Sequence, residues 1–129
     1  MNKILVEVSV GELLDKLTIL EIKQEKIKDP EKLKYINDEY SVLKDQLNKS
    51  VKSDPKIDEL FNSLKKVNEK LWVIEDDKRL CEKNSDFGEK FIKLSRDVHF
   101  LNDERAKLKL EINNKTGSKI KEIKEYTKY

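Results

Sequence analysis

The sequence predicts an all-α fold, in which two antiparallel helical hairpins form an elongated four-helix bundle after one short N-terminal strand. Three observations predict it. Along four stretches, apolar residues alternate at steps of three and four, which places them on one stripe of a helix, as in coiled-coil packing. Each stretch begins with a helix-start signal. Of the 129 residues, 42% are charged and only three are glycine, a composition typical of slender helical proteins.

The chain begins with a short segment, Lys3 to Val8, that alternates in polarity and is rich in isoleucine and valine. This pattern predicts one strand, and a strand needs a partner. Residues 119–126 are one candidate, although they fit a frayed helix equally well, and the same strand of a second chain is another. Ser9-Val-Gly-Glu12 is a capping box that predicts the start of the first helix. That helix is apolar over a wide arc, so we expect it to be covered on more than one side.

Asp29-Pro30 predicts the start of the second helix, with aspartate as the N-cap and proline at the first helical position. Residues 48–53 are polar and form the best candidate for a linker. The first hairpin therefore spans residues 9–49. Its second helix carries an apolar stripe at the same three-and-four spacing: Leu33, Ile36, Tyr40, Leu43 and Leu47.

A second, longer hairpin is predicted over residues 54–116. Asp54-Pro55 repeats the start signal of the second helix, and Asp86-Phe-Gly-Glu89 is another capping box. The third stripe runs from Ile57 to Cys81 and the fourth from Phe87 to Ile112, so only a few residues join them and an antiparallel arrangement is favoured. Gly117 is placed to end the fourth helix. A mildly basic tail, residues 117–129, completes a single domain, residues 1–129.

Charge and cysteine content exclude several classes. The net charge is only 28 − 26 = +2, and most lysines lie within one helical turn of an acid, which favours a solvated surface over a nucleic-acid interface. Cys81 is the only cysteine, so no intrachain disulfide forms and a reducing, cytoplasmic location is expected. We see no cleavable signal and no apolar run long enough for a membrane span.

Three segments are distinctive together: VSVGELLDKLTILEIK (residues 8–23), NEKLWVIEDDKR (residues 68–79) and DFGEKFIKLSRDVHFLNDERAKLKLEIN (residues 86–113). In this order they resemble a bacterial and phage family, frequent in marine bacteria and cyanophages, that is labelled only as a domain of unknown function. The resemblance covers nearly the whole chain. It implies a small stand-alone protein with no assigned reaction, cofactor or catalytic residue, so no functional residues carry over from it.

Arg105 is the first candidate for a ligand-binding residue, because it occupies a stripe position otherwise held by apolar side chains. A guanidinium in that place needs carboxylate or carbonyl partners, or a bound anion. A structural ion pair with Glu12 or Asp15 of the first helix is the favoured interpretation.

A second candidate cluster follows from pairing the long helices residue by residue. Trp72 is expected opposite Arg96, and Asn68 near His99, with Asn102 on the same flank of the fourth helix. This small polar face predicts either a buried hydrogen-bond network against the first helix or the lining of a shallow pocket. His99 is a candidate proton shuttle, but a lone histidine is more often structural.

Two further catalytic patterns are weaker. The acidic run from Glu75 to Asp77, together with Glu12 and Asp15, faintly resembles the Mg²⁺-binding carboxylates of all-helical pyrophosphatases, but a solvated acidic face is favoured. A mutase-like site that joined Lys78 to Arg105 needs a dimer, because helical rise separates the two by roughly 20 Å. We therefore predict no metal and no cofactor.

The functional hypothesis is a small, self-associating accessory, scaffold or binding module. We expect a homodimer, because the first helix is too apolar for one neighbour to cover, and a protein partner or a small anionic ligand is compatible with it. The alternative is a small all-helical enzyme that acts on an anionic metabolite or nucleotide. A broad apolar patch favours the scaffold, whereas a concave pocket where arginine and carboxylates converge favours the enzyme.

Overall fold

The computed structural model describes residues 2–129, and within them every regular element is helical. The helices are α1 (Val10–Lys26), α2 (Pro30–Ser50), α3 (Pro55–Lys83) and α4 (Glu89–Thr116). The predicted all-α class and the number of helices are therefore confirmed.

Three of the four predicted N-caps are confirmed by hydrogen bonds. Ser9 Oγ accepts from the Glu12 amide at 3.0 Å, Asp29 Oδ2 from the Lys32 amide at 3.1 Å, and Asp54 Oδ1 from the Lys56 amide at 2.8 Å. Each bond satisfies a first-turn N–H group that has no acceptor within its own helix. These caps explain why local sequence signals located the starts of α1, α2 and α3.

The predicted cap at Asp86 is wrong. Helix α4 begins at Glu89 with Gly88 at the N-cap position and no side-chain cap, and Asp86 Oδ1 accepts only from the Gly88 amide. The reason lies in how α3 ends: Ser85 takes a left-handed conformation (φ 54°), and the Asp86 amide donates to the Cys81 carbonyl at 2.8 Å. This Schellman closure uses residues 85 and 86, so α4 starts only beyond them.

Gly117 ends α4 as predicted, with φ 67° in the left-handed region. The Ser118 amide donates to the Asn113 carbonyl at 2.9 Å and closes the last turn. Glycine adopts this conformation without the steric cost that other residues incur.

The predicted N-terminal strand is absent from the described chain. Residues 2–8 form no regular structure, and Ile4, Leu5 and Val6 are 88%, 94% and 73% exposed. A strand needs a neighbour for its backbone N–H and C=O groups, and the tail does not supply one. The tail instead returns along α4, where Glu122 pairs with Lys109 and the Tyr129 hydroxyl meets Asp103.

Helix α1 contacts each of the other three helices, whereas α2 packs along α1. This confirms that the apolar arc of α1 is covered on more than one side. Helices α3 and α4 also contact each other: Lys78 Nζ lies 5.8 Å from the Phe91 ring centre, and Lys115 pairs with Asp54 at the opposite end.

The main core forms where α1 crosses α3 and the C-terminal end of α4. It consists of Leu13, Leu14, Leu17, Ile57, Leu60, Leu64 and Ile112. Between residues 89 and 108 no side chain of α4 is fully buried, because α1 meets α4 only near its C-terminal end. Two helices alone cannot cover both of their apolar stripes, so the turn end of α3 and α4 stays partly exposed.

Gly11 sets how closely α1 approaches α4. A Cβ atom at this position would lie 2.5 Å from the Lys109 carbonyl oxygen, which is inside van der Waals contact. The Gly11 amide also donates to Asn113 Oδ1 at 2.7 Å. The small residue and the buried amide together fix the start of α1 against the end of α4.

Candidate functional site

Asp15 is the centre of a buried polar network, with only 1% of its surface exposed. Arg105 of α4 donates to both of its carboxylate oxygens, Nε to Oδ1 at 2.9 Å and an Nη2 hydrogen to Oδ2. This two-bond geometry matches the planar guanidinium to the planar carboxylate. The predicted ion pair between Arg105 and the first helix is therefore confirmed, with Asp15 as the partner.

Asn68 of α3 completes this arrangement. Its Nδ2 donates to Asp15 Oδ1 at 2.9 Å and to Thr18 Oγ1 at 2.8 Å, while the Thr18 hydroxyl donates to the Asp15 carbonyl at 2.7 Å. Burial raises the pKa of Asp15, but the hydrogen bonds from Arg105 and Asn68 outweigh burial and hold the pKa below its ordinary value. The carboxylate is thus charged and fixed by three helices.

Lys109 forms a second buried junction one turn along α4. Its Nζ lies 2.7 Å from Glu12 Oε2 and 2.7 Å from Glu122 Oε2, so it joins α1, α4 and the tail. Burial lowers the pKa of Lys109, but its two hydrogen-bonded carboxylates outweigh burial and raise it. The residue therefore carries its charge because both partners surround it.

A cavity of about 470 Å³ opens beside this network, between α1, α3 and α4. Buried Asn68 and half-buried Arg105 form the polar part of the lining, which we call its inner end, and the exposed acidic and basic side chains form what we call its mouth. Trp72 is the only aromatic residue of the lining. The full lining consists of Ile19, Ile22, Asn68, Leu71, Trp72, Glu75, Asp76, Arg79, Asn102 and Arg105.

The charges of this lining balance. Two arginines face two carboxylates, and Arg105 is in addition paired with Asp15 behind it. Within residues 2–129, no ion pair shorter than 4.0 Å engages Arg79, Glu75 or Asp76. The lining therefore combines a polar inner end, apolar side chains and a mixed-charge mouth, without an excess of positive charge.

The structure brings together four of the six residues that the sequence singled out: Arg105, Trp72, Asn68 and Asn102 all line the cavity. Arg96 and His99 do not. Arg96 lines a separate depression with Glu89 and Ile92, and His99 packs against Phe100 and Tyr129, with ring centres 4.4 and 5.2 Å away.

Helix geometry explains this separation. Arg105, Asn102, His99 and Arg96 follow one another at steps of three, and each such step rotates the position by about 60° relative to a full turn. After two or three steps the side chains have left the flank that faces α1. The separation moves the histidine away from the cavity.

Sequence reasoning missed the part of the lining that α1 contributes. Ile19 and Ile22 lie off the main stripe of α1, and this off-stripe position was the available signal. From the sequence alone, this apolar width of α1 predicts a surface for a second chain. Lys109 was missed as well, because its neighbours in the sequence give no sign that Glu12 and Glu122 converge on it.

Two further properties bear on possible chemistry. Within the part of the chain that the structure describes, no three histidine, cysteine, aspartate or glutamate side chains converge as a metal site would require. None of the described helices combines the length and the apolar character needed to cross a bilayer.

Comparisons with known proteins give one match. Neither the curated proteins nor the solved structures contain a match to this chain. Residues 4–129 match a family of unknown function, DUF6165, which covers nearly the whole chain and agrees with the resemblance noted from the sequence. The chain therefore belongs to this family of unknown function, DUF6165.

Proposed function

We propose that the protein is a binding module for a small molecule, which occupies the cavity between α1, α3 and α4. One observation carries this proposal. The guanidinium of Arg105, which Asp15 holds in place, lines the same cavity as Trp72 and several apolar side chains. Small-molecule sites typically have volumes of about 300–1,000 Å³ and combine an apolar lining with a few placed polar groups. The cavity of about 470 Å³ has both properties.

The inner end of this cavity is already ordered. Arg105 uses Nε and Nη2 on Asp15, and its side chain is still 30% exposed, so hydrogens on Nη1 are available to a ligand. A side chain that is fixed before binding loses little conformational entropy when the ligand arrives. The buried ion pair therefore supports binding by pre-organising one donor group.

We further infer that the two pairs of helices are antiparallel hairpins and that the chain self-associates. The expected reason for a dimer, an uncovered α1, does not hold, because its leucines are buried within one chain. Two other surfaces support self-association: the exposed apolar segment Ile4 to Val6, and a groove of about 710 Å³ on the opposite flank of α3 and α4. The groove contains Val73, Ile74, Phe100 and Leu101 among charged rim residues.

A second copy of the chain is the occupant that we propose for this groove. The segment and the groove are both apolar at the centre and carry both signs of charge at the edges, Lys3 and Glu7 on the segment and Lys66, Lys70, Glu69 and Asp97 on the groove. Burying both surfaces at once removes apolar area from water. We propose that residues 3–8 of one chain lie in the groove of the other.

The enzymatic alternative has one supporting observation, the carboxylates of Glu75 and Asp76 in a cavity with two arginines. The cavity does not contain His99, the proton-transfer group that this alternative requires, because His99 lies on another flank of α4. Binding without turnover is therefore the better-supported function.

A reducing compartment such as the cytoplasm is also proposed, because the sole cysteine, Cys81, is buried and unpaired.

The binding function is tested by screening a library of fragments for shifts of the melting temperature and for changes in Trp72 fluorescence. Trp72 is the only tryptophan of the chain, so its emission reports directly on the cavity. We expect hits whose effect is lost in Asn102→Leu and retained in Asn62→Leu, a matched change on the exposed surface of α3. Fragments that bind equally well to Asn102→Leu, or a screen without hits, would overturn the proposed site.

Self-association is tested by sedimentation equilibrium at high micromolar concentration. We expect a mass of twice 15.3 kDa for the wild type and of one chain for Leu5→Glu, because the substitution places a charge in the proposed contact. A wild-type mass of 15.3 kDa at these concentrations contradicts the dimer.

A further inference from the structure

We infer that the cavity takes an uncharged planar ligand that carries a carboxamide or lactam group, and that it discriminates against the corresponding carboxylate. This inference rests on the proposed binding function and specifies its substrate class. It departs from the small anionic ligand that the sequence kept as an alternative. Three features of the lining carry it: the charge balance, the pairing of a donor with an acceptor, and the tryptophan.

The charge balance does not favour an anion. Arg105 faces the cavity, but Asp15 already neutralises it through two hydrogen bonds. Glu75 and Asp76 offset Arg79 at the mouth. An anion that entered would lose its hydration and find no uncompensated positive charge in return, which is unfavourable in a partly buried site.

The inner end instead offers a fixed acceptor. Asn68 must point its nitrogen at Asp15, because a carboxylate only accepts hydrogen bonds, and its second hydrogen goes to Thr18 Oγ1. Its Oδ1 therefore faces away from them. Among the described residues no side-chain nitrogen or oxygen is both buried from water and unpartnered, so this oxygen is open to the cavity that Asn68 lines.

A fixed donor lies in the same lining. The Nη1 hydrogens of Arg105 are not used by Asp15, and Asn102 adds a side-chain amide that makes no hydrogen bond within the described chain. A carboxamide or lactam places a C=O acceptor beside an N–H donor, so one such group matches both the Arg105 donor and the Asn68 oxygen. A carboxylate has no hydrogen to donate and would oppose that oxygen.

The apolar part of the lining selects for a flat ligand. Trp72 provides an aromatic surface, and Ile19, Ile22 and Leu71 provide apolar walls. An aromatic ring that stacks on or packs against an indole gains more than its buried area alone provides. The three features together describe a heteroaromatic or aromatic amide.

The experiment titrates the intact protein with two matched pairs, nicotinamide against nicotinate and benzamide against benzoate, while Trp72 fluorescence is recorded. The same titrations of N-acetyltryptophanamide correct for quenching in solution. We expect saturable changes with the amides, with a Kd at least tenfold lower than that of each carboxylate. The Asn102→Leu variant should weaken amide binding about tenfold, and Asn62→Leu should leave it unchanged.

The outcomes separate this inference from the proposed function. Tighter binding of the carboxylates overturns the ligand class and leaves the cavity as a binding site. No saturable change with either pair overturns the ligand class, while the fragment screen decides on the cavity itself. Amide binding that the Asn102 substitution leaves intact also overturns the inference, because the ligand then lies elsewhere.

Discussion

Asp15 and Arg105 are 90 positions apart in the chain, yet they meet through two parallel hydrogen bonds at the point where α1 crosses α4. The carboxylate is almost fully buried, whereas the guanidinium reaches the cavity. One pair of residues thus connects the packing of three helices to the inner wall of the candidate site. The predictions below separate its structural role from its binding role.

The first prediction concerns the loss of one partner of this pair. Arg105→Met should destabilise the fold by about 3–5 kcal/mol, because it leaves the buried Asp15 carboxylate without its cation. The double variant Asp15→Leu with Arg105→Met should be more stable than Arg105→Met alone, since no unpaired charge remains and only the hydrogen bond from Asn68 is lost. Urea denaturation measures both, and a single variant as stable as the wild type would show that the buried Asp15 carboxylate does not depend on Arg105.

The second prediction is the dependence of stability on pH. The folded-state pKa of Asp15 is lowered, because the hydrogen bonds from Arg105 and Asn68 outweigh burial. Its contribution is therefore fully present above the ordinary value of 3.8 and is lost as the pH falls through the folded pKa. The contribution of Lys109 to stability depends on pH in the opposite direction, because its folded-state pKa is raised. This contribution is present below the ordinary lysine pKa of 10.5 and is lost as the pH rises through the folded pKa.

Denaturation midpoints recorded from pH 2 to pH 12 should therefore show a plateau at neutral pH with a decline at each end. The acid decline should become shallower in Asp15→Asn, which cannot titrate. An acid decline of the same steepness in that variant would assign the effect to other carboxylates.

The third prediction tests the close approach of α1 and α4. Gly11→Ala should cost about 1–3 kcal/mol, because the new methyl group overlaps the Lys109 carbonyl oxygen and the helices must separate. Gly88→Ala is the comparison without a steric clash: its Cβ would meet nothing closer than 3.5 Å, so the change should cost no more than about 1 kcal/mol, from the lower preference of an N-cap for alanine. Equal effects of the two substitutions would mean that the contact at Gly11 is not as tight as described.

The fourth prediction compares two residues that the sequence presents as equivalent caps. Ser9→Ala should destabilise by about 0.5–2 kcal/mol, because the Glu12 amide loses its acceptor at a buried helix start. Asp86→Ala should have a smaller effect, since Asp86 contacts only the exposed Gly88 amide. Chemical denaturation of both variants decides, and a larger loss for Asp86→Ala would contradict the observed start of α4.

What the sequence predicts well is local. Asp29 and Asp54 indicate where their helices begin, because a cap is formed by residues three positions apart or fewer. The partner of Arg105 was also predictable, because a charge on an apolar stripe must meet an opposite charge and α1 offers few carboxylates. These inferences require only the helical period and the cost of burying a charge.

What the sequence does not predict depends on how the helices cross. The sequence drew attention to the long helices α3 and α4, whereas α1 is the helix that contacts all the others. Ile19 and Ile22 face the cavity only because α1 crosses α3 near Asn68, and the helical period of α1 carries no information about that crossing. The N-terminal segment shows the same limit, since its apolar residues specify burial but not what buries them.

The most direct test of the central claim, that a small molecule binds between α1, α3 and α4, is a ¹H–¹⁵N NMR map of the intact protein with and without saturating nicotinamide. We expect the largest shifts at Ile19, Ile22, Asn102 and the Trp72 indole, and none beyond the control level at Ile74 and Phe100 in the opposite groove. Shifts centred on Ile74 and Phe100, or spread evenly over the chain, would contradict the claim.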